Sequence, residues 1–585
     1  MSHGRGLRRP RRTIMVGAGL VIAGWAAACA VTLVLTDHRL RAGVAQAKVV
    51  RAHLGAAQLT GGAAQAPLRA AAGDFAAARR LLGEPWVAPL RLVPLLGRQV
   101  TSATDLAQAA ATISQAGSQA LPRVRALLSG PHQTPATRAG LIEQLAGVVA
   151  RLNGRVDRVD LGPSGGLVSA LGSERGTFAA DLASLRYGLR RAQGATAAVA
   201  DLLGRSRTYL VLSANNAEMR AGSGMFLAAG TLTTADGALQ LGRFTATSDL
   251  VVTGPTVPVE GDLAFLWGSQ RPSQDYRELA LSPQFPASAA LAARMWQAQT
   301  GVAVDGVLAL DTAALAQILD ATGPVDAGGV TVSGGYVEQY LLHDQYAGVG
   351  SDQSSQAARH DHEGALAAAA FAALSVGHPD LGALAAGLDT AANGRHLLAW
   401  ASDPAVEADW QDAGVSGALG PSDLLLSVLN QGADKLDPFL SVRASLAAAV
   451  VQPSPGPRSG QTAVTVTVTV TDSAPADLPG YVAGADGDPP VPGTYVGAVA
   501  VDIPGRAGRE SASAPLEAEG PDGPSFAMAV PVVLRPGGTT TVTFRFVLDG
   551  ARGRIRVAPS ARLPATLWAG PGGRFDDATS HWVAW

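Results

Sequence analysis

The stretch Thr208-Tyr209-Leu210-Val211-Leu212-Ser213-Ala214, followed by Asn215-Asn216-Ala217-Glu218-Met219-Arg220-Ala221-Gly222-Ser223-Gly224 and then by Met225-Phe226-Leu227-Ala228-Ala229-Gly230, decides how this 585-residue chain is read. Residues 208–214 are a short apolar run bounded by polar and glycine positions, the pattern of a buried strand. Residues 225–234 read as a second strand, and Asp236-Gly237 is the turn signal into a third, from Ala238 to about Thr245. Beyond them 286–299 reads as a helix, 307–310 as a strand and 312–320 as another helix, with more helix around 335–342 and 363–375 and further strands at 395–400 and 424–429. Such alternation predicts an α/β domain over 196–445 with a mixed sheet covered by helices.

Upstream the signals are different. Residues 14–36 are 23 consecutive uncharged, mostly apolar positions, preceded by Arg5, Arg8, Arg9, Arg11 and Arg12. At about 1.5 Å per residue this run reaches roughly 35 Å, enough for a hydrocarbon core of about 30 Å. It predicts a transmembrane helix at 14–36, a cytoplasmic tail at 1–13 and a single-pass protein of the cell membrane whose large C-terminal region is extracytoplasmic. The bilayer is then its first partner. Signal-peptide cleavage after Ala45-Gln46-Ala47 and lipidation at Cys29 are the competing readings, and Arg11-Arg12 is a weak export signal. Residues 37–195 read as a helical stalk or spacer: Leu141, Leu145, Val148, Val149 and Leu152 repeat at helical spacing, and Pro85, Pro89 and Pro94 break the first long segment.

Downstream of Asp437 helical spacing fades. Residues 462–471 alternate threonine with small apolar residues, a strand with one buried and one wet face, and 495–503, 526–534, 539–548 and 552–557 supply more apolar runs between glycines and prolines. A C-terminal β-sandwich over 446–585 is expected, with 473–492 as a loop. Cys29 is the only cysteine, so packing rather than disulfides must stabilise the fold. A formal net charge of -2 gives no field directed at nucleic acid.

Chemistry concentrates in four polar clusters. In the run from Asn215 to Gly224, Asn215 and Asn216 offer amide donors, Arg220 can grip a phosphate or carboxylate bidentately, and Glu218 completes a candidate ligand-binding set. The alternative is a structural turn with Glu218 and Arg220 paired or solvated. In Asp275-Tyr276-Arg277-Glu278, Asp275 can hold a divalent cation or orient a nucleophile while Arg277 balances phosphoryl charge, which makes both candidate catalytic residues; surface pairing explains them equally well. Arg359-His360-Asp361-His362-Glu363 and His343-Asp344-Gln345-Tyr346 complete the set, but His360 and His362 diverge on a helix and no His-Glu-x-x-His motif is present. A phosphate loop and a G-x-S-x-G elbow are likewise missing, so no cofactor or metal is assigned.

The run from Tyr209 to Phe226 resembles the signature of domain-of-unknown-function family 4012, found in bacterial envelope proteins. Gly222-Ser223-Gly224-Met225-Phe226 stands where members commonly carry Gly-Gly-Phe. The likeness continues through Leu281-Ser282-Pro283-Gln284-Phe285-Pro286, Val304-Asp305-Gly306-Val307-Leu308-Ala309-Leu310-Asp311, Leu319-Asp320-Ala321-Thr322-Gly323-Pro324-Val325 and Asp434-Lys435-Leu436-Asp437, and spans roughly 200–445. Residues 296–332 are also similar to the corresponding part of LytR-CpsA-Psr phosphotransferases, although the Ser-x-Pro-Arg-Asp segment of those enzymes is absent and Gly242-Arg243-Phe244 stands at the comparable strand end. These resemblances imply a membrane-anchored protein that binds envelope glycopolymers or assists their assembly. Alternatively, they imply a magnesium-dependent phosphotransferase moving a polyprenyl-pyrophosphate-linked glycopolymer to the cell wall. In that second case Arg220, Arg277 and Arg359 would neutralise pyrophosphate oxygens and Asp275 would assist the metal or the acceptor.

Overall fold

Strand β1 (Arg207–Arg220) lies at the centre of a six-stranded mixed sheet ordered β3-β2-β1-β5-β8, with β4 also paired to β2; these are β2 (Ser223–Ala235), β3 (Ala238–Leu241), β4 (Thr245–Ala246), β5 (Gly306–Leu310) and β8 (Leu397–Ala401). β1 runs antiparallel to β2 and parallel to β5, so the chain must cross over between the first hairpin and β5. Leu210, Leu212 and Ala214 project into one core with Phe226, Tyr276, Leu279, Phe285 and Met295. Tyr209 and Val211 project into another with Leu232, Phe244, Leu308 and Phe371. A strand buried on both faces reads as continuous apolar sequence, and each such leucine or valine contributes about 1.5–3 kcal/mol.

The structure, a computed structural model, describes residues 10–51, 64–129, 134–254, 257–347, 353–376, 379–432, 434–453, 460–484 and 492–585; the side chains of 10–22, 51, 353–362, 376 and 452–453 are outside the description. Two units are resolved, 1–131 with 144–193, and 132–143 with 194–585.

In the larger unit, helices α6 (Gly261–Trp267) and α7 (Phe285–Thr300) cover one sheet face; α8 (Thr312–Thr322), α9 (Gly334–Leu342), α10 (Gln353–Val376), α11 (Leu381–Asn393) and α12 (Pro404–Ala413) complete the helical set before the C-terminal sheets, and the small hairpin β6 (Val325–Ala327) and β7 (Val330–Val332) follows α8. The separate sandwich expected over 446–585 is not present as an independent domain, because its sheets take in strands of the preceding region and one of them also packs on the α/β core. Two open six-stranded sheets form instead. One is ordered β14-β15-β12-β9-β17-β20 and the other β13-β16-β11-β10-β18-β19. Their strands are β9 (Asp423–Asn430), β10 (Leu440–Pro453), β11 (Gly460–Asp472), β12 (Tyr495–Pro504), β13 (Gly508–Ala512), β14 (Ala518–Asp522), β15 (Ser525–Leu534), β16 (Thr539–Asp549), β17 (Arg554–Val557), β18 (Leu567–Gly570), β19 (Gly573–Asp576) and β20 (His581–Ala584); a short helix α13 (Gly480–Ala483) lies between β11 and β12. Val428, Val499, Val466 and Phe544 share a core between the two sheets. On its other side the first sheet presents Leu429, Ala498, Ala500, Ala527 and Ala529 to the core that holds Leu212 and Phe226. Small alanines let the layers approach, and β9 is buried along its whole length. The C-terminal strands are thus two layers of a continuous structure.

The smaller unit carries α1 (Pro10–Arg51), α2 (Gln65–Leu82) and α3 (Pro94–Leu128), with parts of α4 (Pro135–Asp157) and α5 (Ser169–Gly204). Among the described residues no helix is long and apolar enough to cross a membrane. This corrects the transmembrane helix read over 14–36, and with it the membrane anchoring, the bilayer as partner and the single-pass extracytoplasmic location. Residues 1–9, most of the proposed tail, and the side chains of 14–22 lie outside the described residues. Where side chains are described, α1 is engaged by protein: Trp25 Nε1 donates to the Trp86 carbonyl at 2.8 Å, Trp86 Nε1 donates to Thr32 Oγ1 at 2.9 Å, and Cys29, Thr32 and Thr36 are buried. The helix then runs on through the charged residues Asp37, Arg39 and Arg41.

Candidate functional site

The Asn-Asn-Ala-Glu-Met-Arg run is not a loop between strands. β1 continues through it to Arg220, and only Ala221-Gly222 turns the chain into β2, with Gly222 at a φ of 73° that favours glycine. The register is irregular between Asn215 and Met219, so side chains leave the simple alternation there. They enter a buried polar network. Asn215 Nδ2 donates to Tyr346 Oη at 2.9 Å. Asn216 Nδ2 donates to Asp311 Oδ2 at 2.8 Å and to the Ala561 carbonyl at 2.9 Å. Asp311 also accepts from the backbone amides of Ala313 and Ala314, capping α8, and holds His396 Nδ1 at 2.7 Å. Burial acts to lower the His396 pKa, but the attached Asp311, with Glu338 and Asp577 farther off, lifts it above the ordinary value.

Charged residues at the tip are paired across layers. Glu218 Oε1 meets Lys435 Nζ at 2.6 Å, and the ammonium lies 4.9 Å from the Tyr481 ring centroid. Burial opposes the charge on Lys435, yet Glu218 outweighs it and raises its pKa. Arg220 Nη2 sits 3.2 Å from Glu278 Oε1 while its Nε donates to the Arg277 carbonyl at 3.1 Å. Asp437 Oδ2 accepts from the Met219 amide at 3.0 Å, and Asp437 Oδ1 meets Arg562 Nη1 at 2.9 Å. Asn430 Nδ2 holds both Asp434 and Asp437. Burial pushes the Asp434 carboxyl up to about 7, and the nearby Asp437 and Glu218 charges add to that. Glu218 Oε2 and Arg220 Nη1 are buried without a hydrogen-bond partner. Chemically this arrangement fastens β1 to the loop after β9 and to the segment before β18.

Asp275 and Arg277 hold each other, with Arg277 Nη2 2.6 Å from Asp275 Oδ2, and that hydrogen bond is the main reason the Arg277 pKa rises. Their turn meets Arg220 through the Arg277 backbone, so these sequence-derived residues are neighbours. The side chains of Arg359, His360, Asp361 and His362 lie outside the described residues. Among those described, no group of three or more His, Cys, Asp or Glu side chains can hold a metal ion.

A cleft of about 840 Å³ opens over the Tyr209–Val211 face of the sheet, within the range of about 300–1,000 Å³ usual for small-molecule sites. Its floor is Val211, Ser213, Asn215, Leu308 and Leu310; Thr312, Leu315 and Ile318 of α8 and Leu366, Ala367, Ala370, Phe371 and Leu374 of α10 form walls, and 241–249 closes the side. From Glu363 to Leu374 the cleft follows α10 for about 16 Å. Its Phe371 end is apolar, sharing a cluster with Tyr209, Val211 and Leu232. Toward the C-terminal end of β5, alongside the middle of β1, it becomes polar, with Ser213, Asn215 and Thr312.

Sequence reasoning passed over this cleft because its lining carries no motif. The available signal was size: Gly364-Ala365-Leu366-Ala367-Ala368-Ala369-Ala370 places a run of small residues on a helix facing a sheet, and small side chains there leave volume. It also passed over His396 and Arg562, which occur in no recognisable pattern, while Asp311 and Lys435 were visible only inside family-like segments. A family described as "Protein of unknown function (DUF4012)" matches residues 205–346. No curated protein and no solved structure matches the chain. The likeness to LytR-CpsA-Psr phosphotransferases finds no support. The membrane-anchored glycopolymer-binding and transferase functions lose the anchor they were built on. The matched segment begins just before β1 and ends at Tyr346, the partner of Asn215, so it takes in the first hairpin, β5, α8 and the cleft floor. Residues 205–346 are a partial domain of the DUF4012 family.

Proposed function

We propose that this chain binds an elongated amphiphile, an aliphatic chain with a polar head, in the cleft between β1, β5, α8 and α10. The supporting observation is the cleft itself: about 840 Å³ lined by Val211, Leu232, Leu308, Leu310, Phe371 and Leu374, with its floor inside the family domain and its α10 wall beyond it. Apolar surface left open to water costs about 25 cal/mol per Å², and a ligand chain that covers it recovers that energy. On this reading Asn215 is the signature residue that reaches the ligand. Asn216, Glu218 and Arg220 hold the sheet tip in place, and Asp275 with Arg277 fixes the turn beneath Arg220.

The test is fluorescence titration of the full chain with a dansyl-labelled alkyl probe. Ala367→Phe fills the cleft from α10 without touching the buried charge network. The wild type is expected to bind saturably, and the variant about tenfold or more weaker at an unchanged melting temperature. Equal affinities, or no saturable binding by the wild type, would reject the cleft as a ligand site.

A further inference from the structure

The face that the first C-terminal sheet turns toward the α/β core carries two acids among its alanines, Asp502 of β12 and Asp522 of β14. Both are buried, and so are Ser282, Gln284, Ser525 and Arg395 around them. Ser282 Oγ lies 2.9 and 2.7 Å from the two carboxyl oxygens of Asp522, and Gln284 Nε2 donates to the Asp522 carbonyl at 2.9 Å. Ser525 Oγ lies 3.0 Å from Asp502 Oδ1 and 2.7 Å from the Asp522 carbonyl. This seam ties Ser282 and Gln284, inside the family match, to strands outside it. The two carboxyls also hydrogen-bond each other, which requires a proton on one of them, because an ionised carboxylate only accepts.

The surrounding charges give the same result. The cation facing Asp502 is Arg395, from the turn before β8, whose guanidinium donates to the carbonyls of Gly222, Pro283 and Gly417. Beyond it, Asp423 of β9 is matched by Arg556 of β17, with Arg556 Nε 2.7 Å from Asp423 Oδ1. On the Asp522 side stands Asp262 of α6, half-buried, whose Oδ2 accepts from the Gly523 amide at 2.8 Å. A second full negative charge on the pair would thus be buried beside a further acid, and an unmatched buried charge is far costlier than a hydrogen-bonded neutral group. Burial, with Asp262 adding, pushes Asp522 up to about 6 against the hydrogen bonds from Ser282 and Asp502; burial and the adjacent Asp522 push Asp502 well above the ordinary carboxyl range. We propose that Asp502 and Asp522 hold one proton between them, a single negative charge matched by Arg395, and that the seam between the C-terminal sheet and residues 282–284 opens only with release of that proton to solvent. The fastening is complete below the unfolded carboxyl range and weakens as pH rises.

Denaturant titration of the full chain between about pH 7 and pH 9 tests it, comparing wild type with Asp502→Asn and, separately, Asp522→Asn. Each variant makes one member of the pair permanently neutral, so folding no longer takes up that proton. The unfolding constant of the wild type is expected to rise about tenfold per pH unit more steeply than that of either variant. Should one variant fail to fold, the other gives the same reading; collapse of both overturns the proposal, which needs a neutral member at this seam. Hydrogen exchange, corrected for its intrinsic pH dependence, localises the effect: opening of peptides covering 281–285 and 519–526 should rise about tenfold per pH unit in the wild type and stay level in the variant that folds. Equal slopes for wild type and variant, in either measurement, overturn the shared proton.

Discussion

β1 serves two regions that differ in almost every physical respect. At its tip, Glu218 and Arg220 are buried and their charges are matched at short range by Lys435 and Glu278. On the cleft side, Val211, Ser213 and Asn215 face open volume lined by leucines, alanines and a few hydroxyls. A dense polar motif on a strand was the natural place to look for a ligand, yet its polar atoms are largely spent within the protein. The space large enough for a ligand is bounded by residues with nothing to mark them. Clustered charge therefore reports assembly here as readily as recognition, and the comparison is open to direct attack.

The largest effect is expected at the tip. Lys435→Met leaves Glu218 buried and unpaired, which should cost about 3–5 kcal/mol of unfolding free energy by denaturant titration, and the double change with Glu218→Leu should restore most of it. A loss below about 1 kcal/mol would mean that the pair is not a strut.

Protons provide a second probe. Asp434 is pushed up to about 7 and Asp522 up to about 6, both chiefly by burial. Each holds its proton more tightly folded than unfolded, so its contribution is complete below about pH 4 and is lost as pH rises through those folded values. His396, lifted by Asp311, acts in the same sense, its contribution present below the ordinary histidine value and lost as pH rises through its raised one. Asp434→Asn, a permanent mimic of the protonated carboxyl, should match the wild type only below about pH 4 and exceed it in stability near about pH 8. The opposite order at about pH 8 would show that the network requires an ionised Asp434.

How much of this was legible follows from residue type. The strands 208–214 and 307–310 and the helix 312–320 could be read because β-branched and apolar runs are bounded by glycine, proline or a capping aspartate. The valine-threonine alternation of 462–471 likewise marks a strand whose Val464, Val466, Val468 and Val470 are fully buried. The extension of β1 to Arg220 could not be read, because Asn215 to Arg220 has turn-like composition; its pairing with Ser223 to Met225 of β2 is held in place by polar partners more than 50 residues away, among them Glu278, Asp311, Tyr346 and Asp437. The place of β9 in the C-terminal layer was hidden for the same reason: strand order is set by Ala498 and Leu429 meeting across the sheet. Hydropathy over 14–36 suggested a span, whereas Thr32 and Cys29 turn one side of that helix toward Trp86.

The smallest effect is expected at the cleft rim. Arg243→Gln should change affinity for the dansyl-labelled alkyl probe by less than about twofold, because Arg243 lies exposed at the cleft rim. A tenfold loss would give the rim a role in holding the head group.

The division between the two regions is tested most directly by peptide-level hydrogen exchange of the full chain with and without a saturating concentration of the dansyl-labelled alkyl probe. The account predicts slower exchange in peptides covering 208–215, 308–318 and 363–374, which line the cleft, with no change in those covering 216–220 and 275–278. Protection confined to 216–220 and 275–278, with the cleft peptides unchanged, would contradict it and return the signature residues to the role of ligand site.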